Sequence, residues 1–231
     1  VFSEAVISFS SSDDITTPNG TLSTMTSSDN ITWTGTFTPT NSSEDSSNTL
    51  SLATSYTDTA GNSGPAATTS NYAVDTLAPT LSESTAVSTP IADSTPSYTF
   101  SSNEAGTITY GGSCSSSTSS ASSGNNAITF TALDDGTYSD CTITVTDSSG
   151  NVSSNLSVTS FTVAVPPVLG EVTAVSNPTG DNTPDYTFSS NEAGTISYGG
   201  ACGSSSSSTA ISGNNTVTLT QSDNSTALSD G

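Results

Sequence analysis

The stretch Pro96-Ser97-Tyr98-Thr99-Phe100-Ser101-Ser102-Asn103-Glu104-Ala105-Gly106-Thr107-Ile108 returns as Pro184-Asp185-Tyr186-Thr187-Phe188-Ser189-Ser190-Asn191-Glu192-Ala193-Gly194-Thr195-Ile196, 88 residues later. Within each copy Tyr and Phe alternate with Ser and Thr, the period of a half-buried strand, and Asn-Glu-Ala-Gly then ends the run. Between the copies the period is domain-sized, well above the ~20–50 residues of solenoid repeats. Cys114 and Cys202 keep the same offset. Gly124-Asn125-Asn126 returns as Gly213-Asn214-Asn215, and Ala132–Gly136 as Ala227–Gly231 after a short insertion.

Outward from this stretch the pattern continues. Ile108 and Tyr110, Ile128 and Phe130, and Cys141, Ile143 and Val145 are further alternating runs, and an early strand is expected near Leu81–Val87. Leu156 and Val158 begin another run, but Phe161 and Val163 have the opposite parity, which predicts a bulge near Thr159. Val6–Phe9, Trp33–Phe37, Leu50–Leu52 and Tyr72–Val74 read the same way in the first part of the chain, with Trp33 and Phe37 as core. No helical period of useful length is present. The chain is therefore all-β, divided as 1–76, 77–165 and 166–231. Asp75–Pro79 and Val165-Pro166-Pro167 are read as stiff joints, because proline fixes φ and removes a donor. By the same comparison the first module opens at the end of its second strand. The third stops before the expected partner of Cys202, so both outer modules read as truncated.

Composition narrows the function classes. Hydrophobic residues make up 30% of the 231, against ~45–50% in ordinary soluble chains, which favours several small cores over one large one. There are 21 acidic residues and no Lys, Arg or His. Nucleic-acid binding depends on basic side chains that displace counterions, so that class is excluded. Anionic membrane surfaces repel such a chain, and no apolar stretch approaches the ~18–20 residues of a span. Without His or Lys no ordinary Ser or Cys triad can be built. The carboxylate pairs Asp134-Asp135 and Glu44-Asp45 lie among small polar residues and read as solvated turns, not as a glycosidase dyad. The chain is not read as an enzyme.

Three features carry a family resemblance: Phe2-Ser3-Glu4-Ala5-Val6; the turn Asp58-Thr59-Ala60-Gly61-Asn62, echoed by Asp147-Ser148-Ser149-Gly150-Asn151; and Val74–Thr80 at a joint. Together they resemble the bacterial Ig-like domains of giant surface adhesins and related repetitive extracellular proteins. The resemblance implies tandem Ig-like β-sandwiches in a linear, rod-like array at the cell surface or secreted. Asp135-Gly136-Thr137-Tyr138 resembles the tyrosine corner of such sandwiches. Cys114 and Cys141 share one module and are expected to pair, not in the antibody manner across the sheets but from a strand end to its neighbour, for ~3 kcal/mol of stability. Cys202 is then a half-cystine.

In this fold the second-to-third and sixth-to-seventh strand loops meet the incoming linker at one end. That places Asp75, Glu104 and Asp147 together. Ca²⁺ takes six to eight oxygen ligands, and adhesins of this kind bind it near their joints, so these three residues are the candidate metal site. Hydrogen bonding within turns is the plainer role for Asp75 and Asp147. The second joint carries no acid. Sequons at Asn19, Asn30, Asn41, Asn151, Asn155, Asn214 and Asn224 are expected by chance in so polar a chain. The tracts Ser115–Ser123 and Ser204–Thr209 read as polar loops. The leading function is a spacer or stalk whose partners are neighbouring modules of the same chain. A self-associating filament of identical chains, a glycan- or protein-binding module using Tyr110 or Trp33, and a phage-borne decoration are the alternatives.

Overall fold

The computed structural model describes residues 1–204 and 206–229. The repeat residues Asp230 and Gly231, and Ser205 in the Ser204–Thr209 tract, lie outside that range. Strands dominate, and the described residues include one short helix, Ser11–Asp14, which the strand pattern does not announce. The chain divides into two compact units, Val1–Val163 and Ala164–Gly231. Residues of the first and second modules thus fall in one unit, and the second unit begins at Ala164.

The second module is a sandwich. One sheet runs in the order Leu81–Thr85, Ser97–Ser102, Gly124–Thr129, all antiparallel. The other runs Ser120–Ala121, Gly106–Gly111, Thr142–Thr146, Leu156–Ser157. Gly136–Tyr138 pairs separately with Phe161–Val163. Alternation places Tyr98, Phe100, Ile108, Ile128, Ile143 and Val145 between the layers, each at most 5% exposed. Thr107, Thr109 and Thr144 face outward, where β-branching favours the strand without requiring burial. Phe130 and Phe161 stack at 6.0 Å, and Phe161 and Tyr138 at 5.4 Å.

The parity change near Thr159 has a different origin from a bulge. Leu156–Ser157 pairs with Thr142–Thr146, whereas Phe161–Val163 pairs with Gly136–Tyr138. The chain changes partner strands across Val158–Ser160, which lets Val158, Phe161 and Val163 all point inward. The Tyr138 hydroxyl donates to the Asp134 carbonyl at 2.9 Å, the back-bond of a tyrosine corner. Cys114 and Cys141 form a disulfide with Cα atoms 5.2 Å apart.

The first module is built from short pairs: Val6–Ile7 with Thr57–Asp58, Gly20–Leu22 with Phe37–Pro39, Glu44–Asn48 with Tyr72–Asp75, and Ile15–Thr16, Ser51–Leu52 and Ala67–Thr68 together. Glu44-Asp45, expected in a turn, begins a strand. Asn48 is fully buried there, donating to the carbonyls of Asp45 and Tyr72 while accepting from Asn19. Hydrogen-bond saturation, not hydrophobicity, makes this strand. The aromatic cluster Phe2, Phe9, Trp33 and Tyr56 borders a pocket of about 640 Å³. Trp33 is only half-buried, although its indole N–H is enclosed without a partner.

In the Ala164–Gly231 unit, Leu169–Thr173, Asp185–Ser190, Gly213–Gln221 and Cys202–Ser204 form one antiparallel sheet. Asp185–Ser190 pairs with the Gly213–Gln221 strand from Asp185–Thr218 to Ser190–Gly213, matching the second module. Cys202 is exposed with a free thiol.

Candidate metal site at the first joint

The Asp147–Asn151 turn is fixed by its own residues. Asp147 Oδ1 accepts the backbone N–H groups of Ser149 and Asn151, at 2.8 and 2.9 Å, and Oδ2 accepts Asn151 Nδ2 at 2.8 Å. Gly150 has φ +92°, a left-handed conformation that glycine adopts without a Cβ penalty. The turn Asp58–Asn62 in the first module repeats this construction. Asp58 Oδ1 accepts Ala60 N–H and Asn62 N–H, Oδ2 accepts Asn62 Nδ2, and Gly61 has φ +89°.

The second-module turn grips the joint. Ser149 Oγ donates to Asp75 Oδ2 at 2.6 Å, and Asn151 Nδ2 reaches the Asp75 carbonyl at 3.3 Å. Asp75 closes the Tyr72–Asp75 strand and accepts Leu77 N–H at 3.2 Å, starting the bend into Pro79. Glu104 follows the Ser97–Ser102 strand, whose Ser102 hydroxyl fixes the turn by donating to the Glu104 carbonyl at 2.6 Å. One carboxylate oxygen each from Asp75, Glu104 and Asp147 lies within 4.8 Å of the others. The structure therefore brings all three sequence-predicted residues to one place.

A fourth acid joins them that the sequence reading left in a solvated turn. Glu44 is the register partner of Asp75 on the adjacent strand. The Glu104 carboxyl is held above its ordinary value chiefly by loss of hydration; the hydrogen bond from Asn103 opposes this, and weaker repulsions from Glu44, Asp147 and Asp75 add to it. Asp147 goes the other way. Burial alone would raise it, but hydrogen bonds from the Asn151 side chain and backbone and from Ser149 keep it low and charged. No basic side chain exists to offset this charge. Glu44 carries no sequence signal of its own; only the pairing of two strands nearly thirty residues apart places it there.

Residues 1–74 match the family described as bacterial Ig-like domain. Over nearly its whole length the first module is similar to bacterial Ig-like domains. Its Asp58–Asn62 turn has the same construction as the Asp147–Asn151 turn that the second module sets against Asp75. No curated protein matches the chain. Among the described residues no helix is long and apolar enough to cross a membrane.

Proposed function

We propose that these Ig-like modules form a non-catalytic spacer segment of a secreted or cell-surface protein, with its first joint stiffened by Ca²⁺. The observation that supports this best is the grip of Ser149 and Asn151 on Asp75, which ties the linker to the second module. A spacer transmits position only if its joints resist bending, and this joint has hydrogen bonds and a charge problem in one place. Ca²⁺–O distances of about 2.3–2.6 Å let oxygens on opposite sides of one ion lie about 4.6–5.2 Å apart. The 4.8 Å separation of the three carboxylates fits that sphere. Asp75, Glu104 and Asp147 would hold the ion, with Glu44 close by, and the ion would remove the mutual repulsion. Neighbouring modules of the same chain are the partners this reading requires.

The test is small-angle scattering and thermal melting of the full chain in Ca²⁺ and in chelator. At a free concentration one hundred times Kd, binding adds about 2.7 kcal/mol to the ordered joint. Ca²⁺ is expected to narrow the distribution of dimensions and raise the Val1–Val163 transition, and Asp75→Asn to remove both effects. Unchanged dimensions and melting count against the calcium reading.

A further inference from the structure

Asn19-Gly20 is the single Asn-Gly dipeptide of the chain, and the fold constrains both of its residues. Asn19 takes the left-handed conformation, φ +51°, which asparagine tolerates better than most residues. Its Nδ2 donates to Asp45 Oδ2 at 2.7 Å and to Asn48 Oδ1 at 2.8 Å. Asn48, 1% exposed, uses its own Nδ2 on the carbonyls of Asp45 and Tyr72. The Asn19 amide therefore completes the hydrogen bonding of the Glu44–Asn48 strand. Gly20 is fixed by space: a Cβ there would lie 2.3 Å from the Phe37 ring and 2.7 Å from the Thr38 carbonyl oxygen. Neither position of the dipeptide is free to take another residue without loss.

We infer that Asn19-Gly20 is a self-modification site, where local opening of the first module lets Asn19 convert to aspartate or isoaspartate, a change that then keeps the Glu44–Asn48 strand from re-forming. The Asn19 carbonyl accepts Thr40 N–H at 2.8 Å, so the Gly20 N–H, trans to it across the same planar peptide, points away from the Phe37–Pro39 strand. Glycine puts no Cβ in the way of this nitrogen. The nitrogen gives its proton to a solvent base and bonds to Asn19 Cγ; the Cγ–Nδ2 bond breaks, and Nδ2 leaves as ammonia with a proton from water. Water then opens the cyclic imide at either carbonyl, so the net change is amide plus water to acid plus ammonia. Departure of Nδ2 forfeits both of its hydrogen bonds, so the folded network opposes the step and an opened module admits it. The product does not fit the old place. A carboxylate oxygen would face Asp45 Oδ2 and Asn48 Oδ1, which are both acceptors, in a chain without Lys, Arg or His. Asn48 cannot turn its amide to donate, because its Nδ2 already holds two carbonyls. Isoaspartate also lengthens the backbone just before the Gly20–Leu22 strand.

The experiment follows the full chain by peptide mass spectrometry after chymotrypsin digestion, during incubation in warm, mildly alkaline buffer with and without urea. In urea, Asn19 is expected to gain the mass of an amide-to-acid change faster than any other asparagine. In the folded chain its conversion should be slower by about tenfold or more. Asn30 and Asn151, followed by the branched Ile31 and Val152, should lag well behind in urea. Asp45→Ala removes one acceptor of Nδ2 and should speed conversion in buffer while leaving the rate in urea unchanged. Asn19→Asp should lower the melting temperature of the first module, read by Trp33 fluorescence, by at least about 4–8 °C. Asn19→Gly, which drops the amide without adding a carboxylate, should melt above Asn19→Asp. Conversion of Asn19 no faster than that of Asn30 in urea would overturn the site, and equal rates with and without urea would overturn its protection by the fold. A parent-like melt of Asn19→Asp, or one above Asn19→Gly, would overturn the consequence. The rates in the parent chain decide the first two points even if Asn19→Asp does not fold.

Discussion

The first and second modules use the same Asp-x-x-Gly-Asn turn, but only the second is closed around it. In the second, Tyr98, Phe100, Phe130 and Phe161 are at most 1% exposed, and a disulfide ties the strands. In the first, Phe2, Phe9 and Trp33 remain half-exposed beside an open pocket, and no cysteine is present. The turn is therefore a local object, made by Asp, Gly and Asn alone. The packed core and the clustered acids of the joint are long-range properties that the turn neither requires nor guarantees.

Core substitutions should break the comparison most sharply. Phe161→Ala removes a ring stacked between Phe130 and Tyr138 and is expected to cost about 3–5 kcal/mol. Phe9→Ala trims a ring that already borders the pocket and should cost about 1–2 kcal/mol, since less area is lost. Urea unfolding checks this, with fluorescence of the single tryptophan, Trp33, reporting the first module. Equal costs would mean that the two cores are equally closed. Reducing the disulfide should cost the second module about 3.5 kcal/mol in the chain-entropy model and leave the Trp33 signal unmoved.

The twin turns offer a finer test. Asp147→Ala and Asp58→Ala each remove an acceptor of three hydrogen bonds, and each should cost about 1–2 kcal/mol. Only Asp147→Ala should also loosen the joint, visible as broader scattering dimensions, because Asn151 then loses the orientation that lets it reach Asp75. The smallest expected effect is titration of Glu83. Burial alone would raise its carboxyl, but the Thr159 N–H and hydroxyl, with the Tyr98 hydroxyl that faces it from the next strand, hold it below the ordinary 4.5. A lowered folded value stabilises above the unfolded value, and that contribution is lost as pH falls through the folded one. Stability of the second module should decline below about pH 4.5 with a slope that Glu83→Gln reduces.

Much of the second module was legible because period-two alternation of Tyr, Phe, Ile and Val with Thr is a local signal, and the 88-residue repeat doubled it. The three joint acids were legible because turn chemistry and strand order fix which loops share a pole. Glu44 was not, since Glu-Asp-Ser-Ser-Asn holds no strand former and pairs only because Asn48 and Asn71 saturate its backbone. Thr159 was read correctly as an irregularity but not as a change of partner, because the partner strand is set by packing of Phe161 on Tyr138 and Phe130. Glu83 carried no signal within the early strand expected near Leu81–Val87, because its contact lies 76 residues away.

Seawater and brine act on this protein with one sign. A chain whose 21 charged side chains are all carboxylates has no attractive side-chain ion pair for dissolved salt to weaken. Its carboxylates are held by N–H and hydroxyl groups instead, as at Asp58, Glu83 and Asp147, and such short contacts are little affected by a Debye length of about 8–10 Å. What salt does screen is repulsion alone. Rising ionic strength should therefore raise the melting temperature steadily until screening is complete, where a protein laced with salt bridges would lose part of its stabilisation. Fresh water is the harsher medium for this fold.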